Sequence, residues 1–123
     1  MDDNRIMIVD DNKAFLDELE ETLSLCGYEP IAVPDSQAAL KTAQKTNPDA
    51  IILDLKMDRM NGFQLAEALK NEKKTLAIPI IAMSGYFPID GNSNLLDLSK
   101  MAGHIKKPFS IADLITELEK VLN

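Results

Sequence analysis

Apolar residues follow two rhythms along this chain. Short continuous runs (Arg5-Ile6-Met7-Ile8-Val9, Ala50-Ile51-Ile52-Leu53 and Pro79-Ile80-Ile81-Ala82-Met83) have the look of strands buried on both faces. Glu29 to Val33 and His104-Ile105-Lys106 are weaker runs of the same kind. Between the runs, apolar residues recur at helical spacing: Phe15, Leu19, Leu23 and Cys26, then Ala39, Leu40 and Ala43, then Phe63, Leu65, Ala66 and Leu69. The clearest stripe closes the chain with Ile111, Leu114, Ile115, Leu118, Val121 and Leu122. Leu95, Leu96, Leu98 and Met101 suffice only for a short helix, and Tyr86 to Ser93 has no periodicity. Boundary residues agree with this division. Asn12, Asp35 or Ser36, and Ser110 with Asp113 three residues on, are suited to cap helices, while Gly27 and Asn47-Pro48-Asp49 interrupt them.

Five alternations of strand and helix, at about 20–25 residues each, imply right-handed crossovers and a parallel sheet covered on both faces. The expectation is an α/β domain over residues 1–123 with a doubly wound five-stranded sheet in the order 2-1-3-4-5. In such a fold the ligand lies beyond the carboxyl ends of the strands where the winding reverses, here between strands one and three.

Composition narrows the partners. Thirteen basic and twenty acidic side chains give a formal charge of −7, which argues against direct binding of nucleic acid or an anionic membrane surface. The N-terminus lacks a signal-peptide pattern, and no run approaches a membrane span. The one cysteine, Cys26, has no internal partner and is expected to be a small core residue in a reducing compartment. A cytoplasmic location is expected.

Every candidate chemical group stands where a strand-like run stops. The first strand ends at Asp10 and Asp11, the third at Asp54, the fourth at Ser84 and the fifth just before Lys107. Each alone is an ordinary strand-end or turn residue, but five together at one edge are not. Carboxylates within ~5 Å repel by on the order of 3 kcal/mol per pair at an effective dielectric near 20, so gathering three calls for a cation. Hard oxygen ligands with positions left for water and phosphate suit Mg²⁺, whereas one Cys and one His do not make a zinc site. A carboxylate can accept a phosphoryl group as an acyl phosphate, a divalent ion and a lysine can neutralise its oxygens, and a hydroxyl can hydrogen-bond it.

Taken together, Ile8-Val9-Asp10-Asp11-Asn12, Ile52-Leu53-Asp54-Leu55-Lys56-Met57 with Gly62 beyond, Ile81-Ala82-Met83-Ser84-Gly85 and Lys107-Pro108-Phe109 resemble the receiver domain of bacterial two-component response regulators. The resemblance implies a flavodoxin- and CheY-like fold. It also implies that Asp54 accepts a phosphoryl group from a sensor histidine kinase or a histidine phosphotransfer protein. Asp11, Asp54 and the backbone carbonyl of Lys56 would ligate Mg²⁺ or Mn²⁺, with Asp10 assisting through water. Lys107 would pair with the phosphoryl oxygens, and the Lys107-Pro108 peptide would be cis. Ser84 would swing towards the phosphoryl group and alter the surface presented to a downstream protein. Such a domain is a regulatory phosphoacceptor, limited to self-phosphotransfer and autodephosphorylation, rather than an enzyme.

The chain departs from the family pattern in the loop after the third strand and on its output side. Asp58 stands where the family usually has proline, and Asn61 where it has aspartate. His104 takes the switch position of a Tyr or Phe, where an imidazole could couple activation to pH. Lys56 and Tyr86, each two residues beyond a site residue, suggest slow loss of phosphate. Three alternatives compete: a receiver-like interaction module that is never phosphorylated, a flavodoxin and a haloacid-dehalogenase phosphatase. The full set of Asp10, Asp11, Asp54, Ser84 and Lys107 disfavours the first. Asp10-Asp11-Asn12 would repel a flavin phosphate, and Lys56 occupies the place of the phosphatase's second aspartate.

Overall fold

The computed structural model describes residues 4–56, 62–85 and 101–122. Five strands, β1 (Arg5–Val9), β2 (Glu29–Val33), β3 (Ala50–Asp54), β4 (Ile80–Ser84) and β5 (Gly103–Lys106), form one parallel sheet in the order β2-β1-β3-β4-β5. Four helices are described: α1 (Lys13–Leu25), α2 (Ser36–Thr46), α3 (Gly62–Lys70) and α4 (Ile111–Leu122). The doubly wound order expected from the alternation of elements is therefore the order observed. The short helix expected around Leu95 to Leu98, and the positions Asp58, Asn61 and Tyr86, lie outside the described residues.

Alternation along each strand divides the core. Met7, Val9, Ile51 and Leu53 pack with Ala39, Ala43, Leu65 and Leu69 of α2 and α3. Ile6, Ile8, Ala50 and Ile52 pack with Leu16, Leu19 and Leu23 of α1 and Leu114 and Leu118 of α4. Helices on both faces explain why β1, β3 and β4 read as unbroken apolar runs.

The caps fall where the sequence suggests. Asn12 accepts from the Phe15 amide at 3.1 Å, Asp35 from Gln37 at 2.9 Å, and the Ser110 hydroxyl from Asp113 at 3.1 Å. Cys26 corrects the expectation of a core cysteine, because its side chain is exposed. Helix α1 ends at Leu25, and the Cys26 amide reaches back to the Thr22 and Leu23 carbonyls as the chain turns through Gly27 at φ +94. That turn takes Cys26 out of the buried stripe, which runs through Leu16, Leu19 and Leu23.

The two faces of this packing predict unequal mutational costs. Leu118→Ala removes a fully buried side chain and is expected to lower the unfolding free energy in urea by about 2–5 kcal/mol. Leu25→Ala, at a position 83% exposed, is expected to stay within about 0.5 kcal/mol.

Candidate functional site

Asp10, Asp54 and Lys107 come together because of the strand pleat. Ile6 and Ile8 of β1 point towards α1 and α4, and Asp10 is the next residue in that phase. Ala50 and Ile52 are followed in the same way by Asp54, and Ile105 by Lys107. In each case two steps along the strand replace a buried apolar side chain with a charged one at the carboxyl edge. Pairing continues past the strand ends and holds the register: Asp10 N donates to Val33 O, Leu55 N to Met83 O, and Lys107 N to Ser84 O at 2.7 Å.

One oxygen from each of Asp10, Asp11 and Asp54 can be chosen so that all three lie within 4.8 Å of one another. Asp10 and Asp54 are buried and Asp11 is exposed at the mouth. The Lys107 ammonium donates to Asp10 Oδ2 at 2.7 Å and lies 3.8 Å from Asp54 Oδ2. The other Asp10 oxygen accepts from the Asn12 amide at 2.9 Å, so that carboxylate is held from both sides. Asp54 has less support: the Lys56 amide donates to it at a long 3.3 Å. Burial, and then repulsion from Asp10, raise the Asp54 pKa above the usual carboxylate range, with Lys107 and the Lys56 amide opposing and Asp11 adding to the rise. Among the described residues, three hard oxygen donors, one of them open to solvent, with negative charge that the Lys107 ammonium only partly balances, fit a divalent cation such as Mg²⁺.

Gly62, the first residue of α3, closes the site from below. A side chain there would strike the Asp54 carbonyl oxygen and would come within 2.6 Å of Leu55 Cα. The Gly62 amide also donates to Leu55 O at 3.1 Å, so the helix start and the end of β3 are in direct contact. Only glycine permits that approach.

The remaining candidates occupy the same edge on different footings. Ser84 is buried at the end of β4, but in phase with Ile80 and Ala82 rather than with Ile81 and Met83, which pack on the α1 and α4 side. Lys56 is exposed just beyond β3. His104 is exposed on β5 beside Ala82 of β4. The Lys107-Pro108 peptide is cis, as the resemblance implied.

Two aromatic residues adjoin the charge network, of which only Phe109 stands in a motif that carries the resemblance. The Phe15 ring lies under the Lys107 ammonium, 4.3 Å from ring centre to Nζ. Phe109 meets Phe15 edge to face, with centroids 6.1 Å apart and planes at 88°. Phe15 is legible in the sequence only as part of an apolar helix stripe, and nothing in its spacing points to a lysine 92 positions later.

The sequence profile described as "Response regulator receiver domain" matches residues 6–119. The transcriptional regulatory protein PrrA of Mycobacterium leprae is 30% identical over 96% of this chain, which spans only 49% of that protein. The polar-differentiation response regulator DivK of Brucella ovis is 26% identical over 95% of this chain and 94% of its own length. Among solved structures, the chemotaxis protein CheY4 of Vibrio cholerae has a TM-score of 0.87 at 27% identity, covering 98% of this chain and all of its own.

Two outcomes follow from the geometry. Gly62→Ala is expected to cost about 1–3 kcal/mol in urea unfolding, because backbone must move to admit the methyl group. Asp54 holds its proton more tightly in the folded chain than in the unfolded one, so ionising it weakens the fold as pH rises from its ordinary value of 3.8. In metal-free buffer Asp54→Asn is therefore expected to raise Tm at pH 7, with the gain vanishing below pH 3.8. Thermal unfolding of both proteins across pH measures it.

Proposed function

The chain belongs to the response regulator receiver family, and we propose that it is a phosphorylation-dependent switch whose acceptor is Asp54. The family is regulatory and its members work in two-component signalling. The observation that carries the reading is the convergence of Asp10, Asp11, Asp54 and Lys107 at one sheet edge.

An Asp54 carboxylate oxygen attacks the phosphorus of a phosphohistidine on a kinase or a histidine phosphotransfer protein. The new O–P bond replaces the N–P bond, whose electron pair stays on the imidazole nitrogen, and that nitrogen then takes a proton from solvent. Lys107 stands 3.8 Å from Asp54, close enough to turn from Asp10 to the incoming phosphoryl oxygens. Asp11 and Asp54, with the Lys56 carbonyl and with Asp10 in support, would hold Mg²⁺, or Mn²⁺ in its place. The ion supplies positive charge to the transferring group when bound. Ser84 then hydrogen-bonds the phosphoryl group, and β5, with His104 on its exposed side, carries the change to a downstream protein.

Burial of Asp54 and its raised pKa support this role, since a carboxylate short of counter-charge gains most from a cation and a phosphoryl group at its rim. No described helix is long and apolar enough to cross a membrane, and the formal charge of −7 disfavours direct contact with nucleic acid. A protein partner remains the natural reader.

Incubation with acetyl phosphate and Mg²⁺ is expected to add one phosphoryl group, read by intact mass. Asp54→Ala is expected to abolish the addition, and chelation of the metal to suppress it. Labelling that persists in Asp54→Ala would place the acceptor elsewhere. Absence of labelling together with absence of Mg²⁺-dependent beryllofluoride binding would favour an interaction module that is not phosphorylated.

A further inference from the structure

We infer that Phe15 is a positioning residue for Lys107, its ring face holding the ammonium over the acceptor carboxylate. The inference rests on the reading of Asp54 as acceptor and adds a residue to that site.

The Lys107 ammonium lies 2.7 Å from Asp10, 3.8 Å from Asp54 and 4.3 Å from the centre of the Phe15 ring. Its side chain is only 25% exposed, so the ring takes the place of water around much of the charge. A ring face attracts an ammonium through its quadrupole without being a carboxylate. It therefore steadies Lys107 without holding it back when the ammonium turns towards a phosphoryl oxygen.

The ring is itself fixed by the elements that build the site. The Asn12 amide donates to Asp10, and the Asn12 side chain accepts from the Phe15 amide, so one turn sets both the carboxylate and the helix start that carries the ring. Phe109 supports Phe15 edge to face from two residues past Lys107. The lysine and its aromatic support thus arrive from opposite ends of the chain, and each is anchored next to its charge partner.

The test compares Asp54 phosphorylation rates with acetyl phosphate and Mg²⁺. In that transfer an Asp54 O–P bond forms and the acetyl O–P bond breaks, its electron pair leaving on acetate. Phe15→Leu keeps apolar bulk but lacks a π face, and is expected to slow the rate by roughly 2- to 30-fold. Phe15→Tyr is expected to retain the original rate. Phenylalanine analogues at position 15 carrying one, two and three ring fluorines keep the shape while draining the quadrupole. The rate should fall stepwise along that series while Tm stays constant, a pattern that packing alone does not produce. An unchanged rate in Phe15→Leu, or a flat fluorine series, overturns the inference.

If the unsubstituted protein takes up no phosphoryl group, the switch reading fails and the lysine contact is judged alone. Lys107 Hε resonances shifted upfield by the ring, and restored to ordinary values in Phe15→Leu, would sustain the positioning role; unshifted resonances would overturn it.

Discussion

The Lys107 ammonium lies between two buried carboxylates, bound to Asp10 at 2.7 Å and standing 3.8 Å from Asp54. Without that cation the carboxyl edge of the sheet would hold Asp10, Asp11 and Asp54 together against their mutual repulsion. The compensation is uneven. Asp10 takes the short ion pair and a backbone amide, while Asp54 is left with a longer approach, a weak amide contact and a raised pKa. Asp54, the carboxylate proposed as acceptor, is therefore the less compensated of the two buried acids.

Everything beneath that edge serves to keep it in register. Parallel pairing aligns Val9 with Leu53 and Leu53 with Ala82, so the residues that follow emerge side by side. The pleat then turns Asp10, Asp54 and Lys107 to the face lined by α1 and α4, where Phe15 is also found. Gly62 brings α3 against the end of β3 so closely that no side chain can intervene. Buried apolar packing on both faces makes the sheet stiff enough to hold like charges at short range.

The relatives separate what is general from what is particular. The fold is shared with CheY4 of Vibrio cholerae, and sequence similarity extends to DivK over most of its length and to about half of PrrA. On β5 of this chain, His104 and Lys106 are exposed. The aromatic pair Phe15 and Phe109, partly buried, meets the charge network through Lys107.

Much of this molecule was legible in the sequence, for identifiable reasons. Buried parallel strands are written as continuous apolar runs, and strand–helix alternation restricts the winding, so the order 2-1-3-4-5 followed. Asp10, Asp54 and Ser84 stand out because each closes an apolar run, with Asp11 beside Asp10 and Lys107 just past the weaker fifth run. Cys26 was misjudged because a periodicity argument cannot see where a helix stops, and the turn at Gly27 releases its side chain to solvent. Which carboxylate Lys107 holds, and that Phe15 supports it, could be decided only by tertiary structure. Those are contacts across 97 and 92 positions, and distance along the chain carries no record of them. Sequence alone determined which charged and polar residues end the strands; the tertiary contacts of Lys107 with Asp10 and Phe15 decided how the charge there is shared.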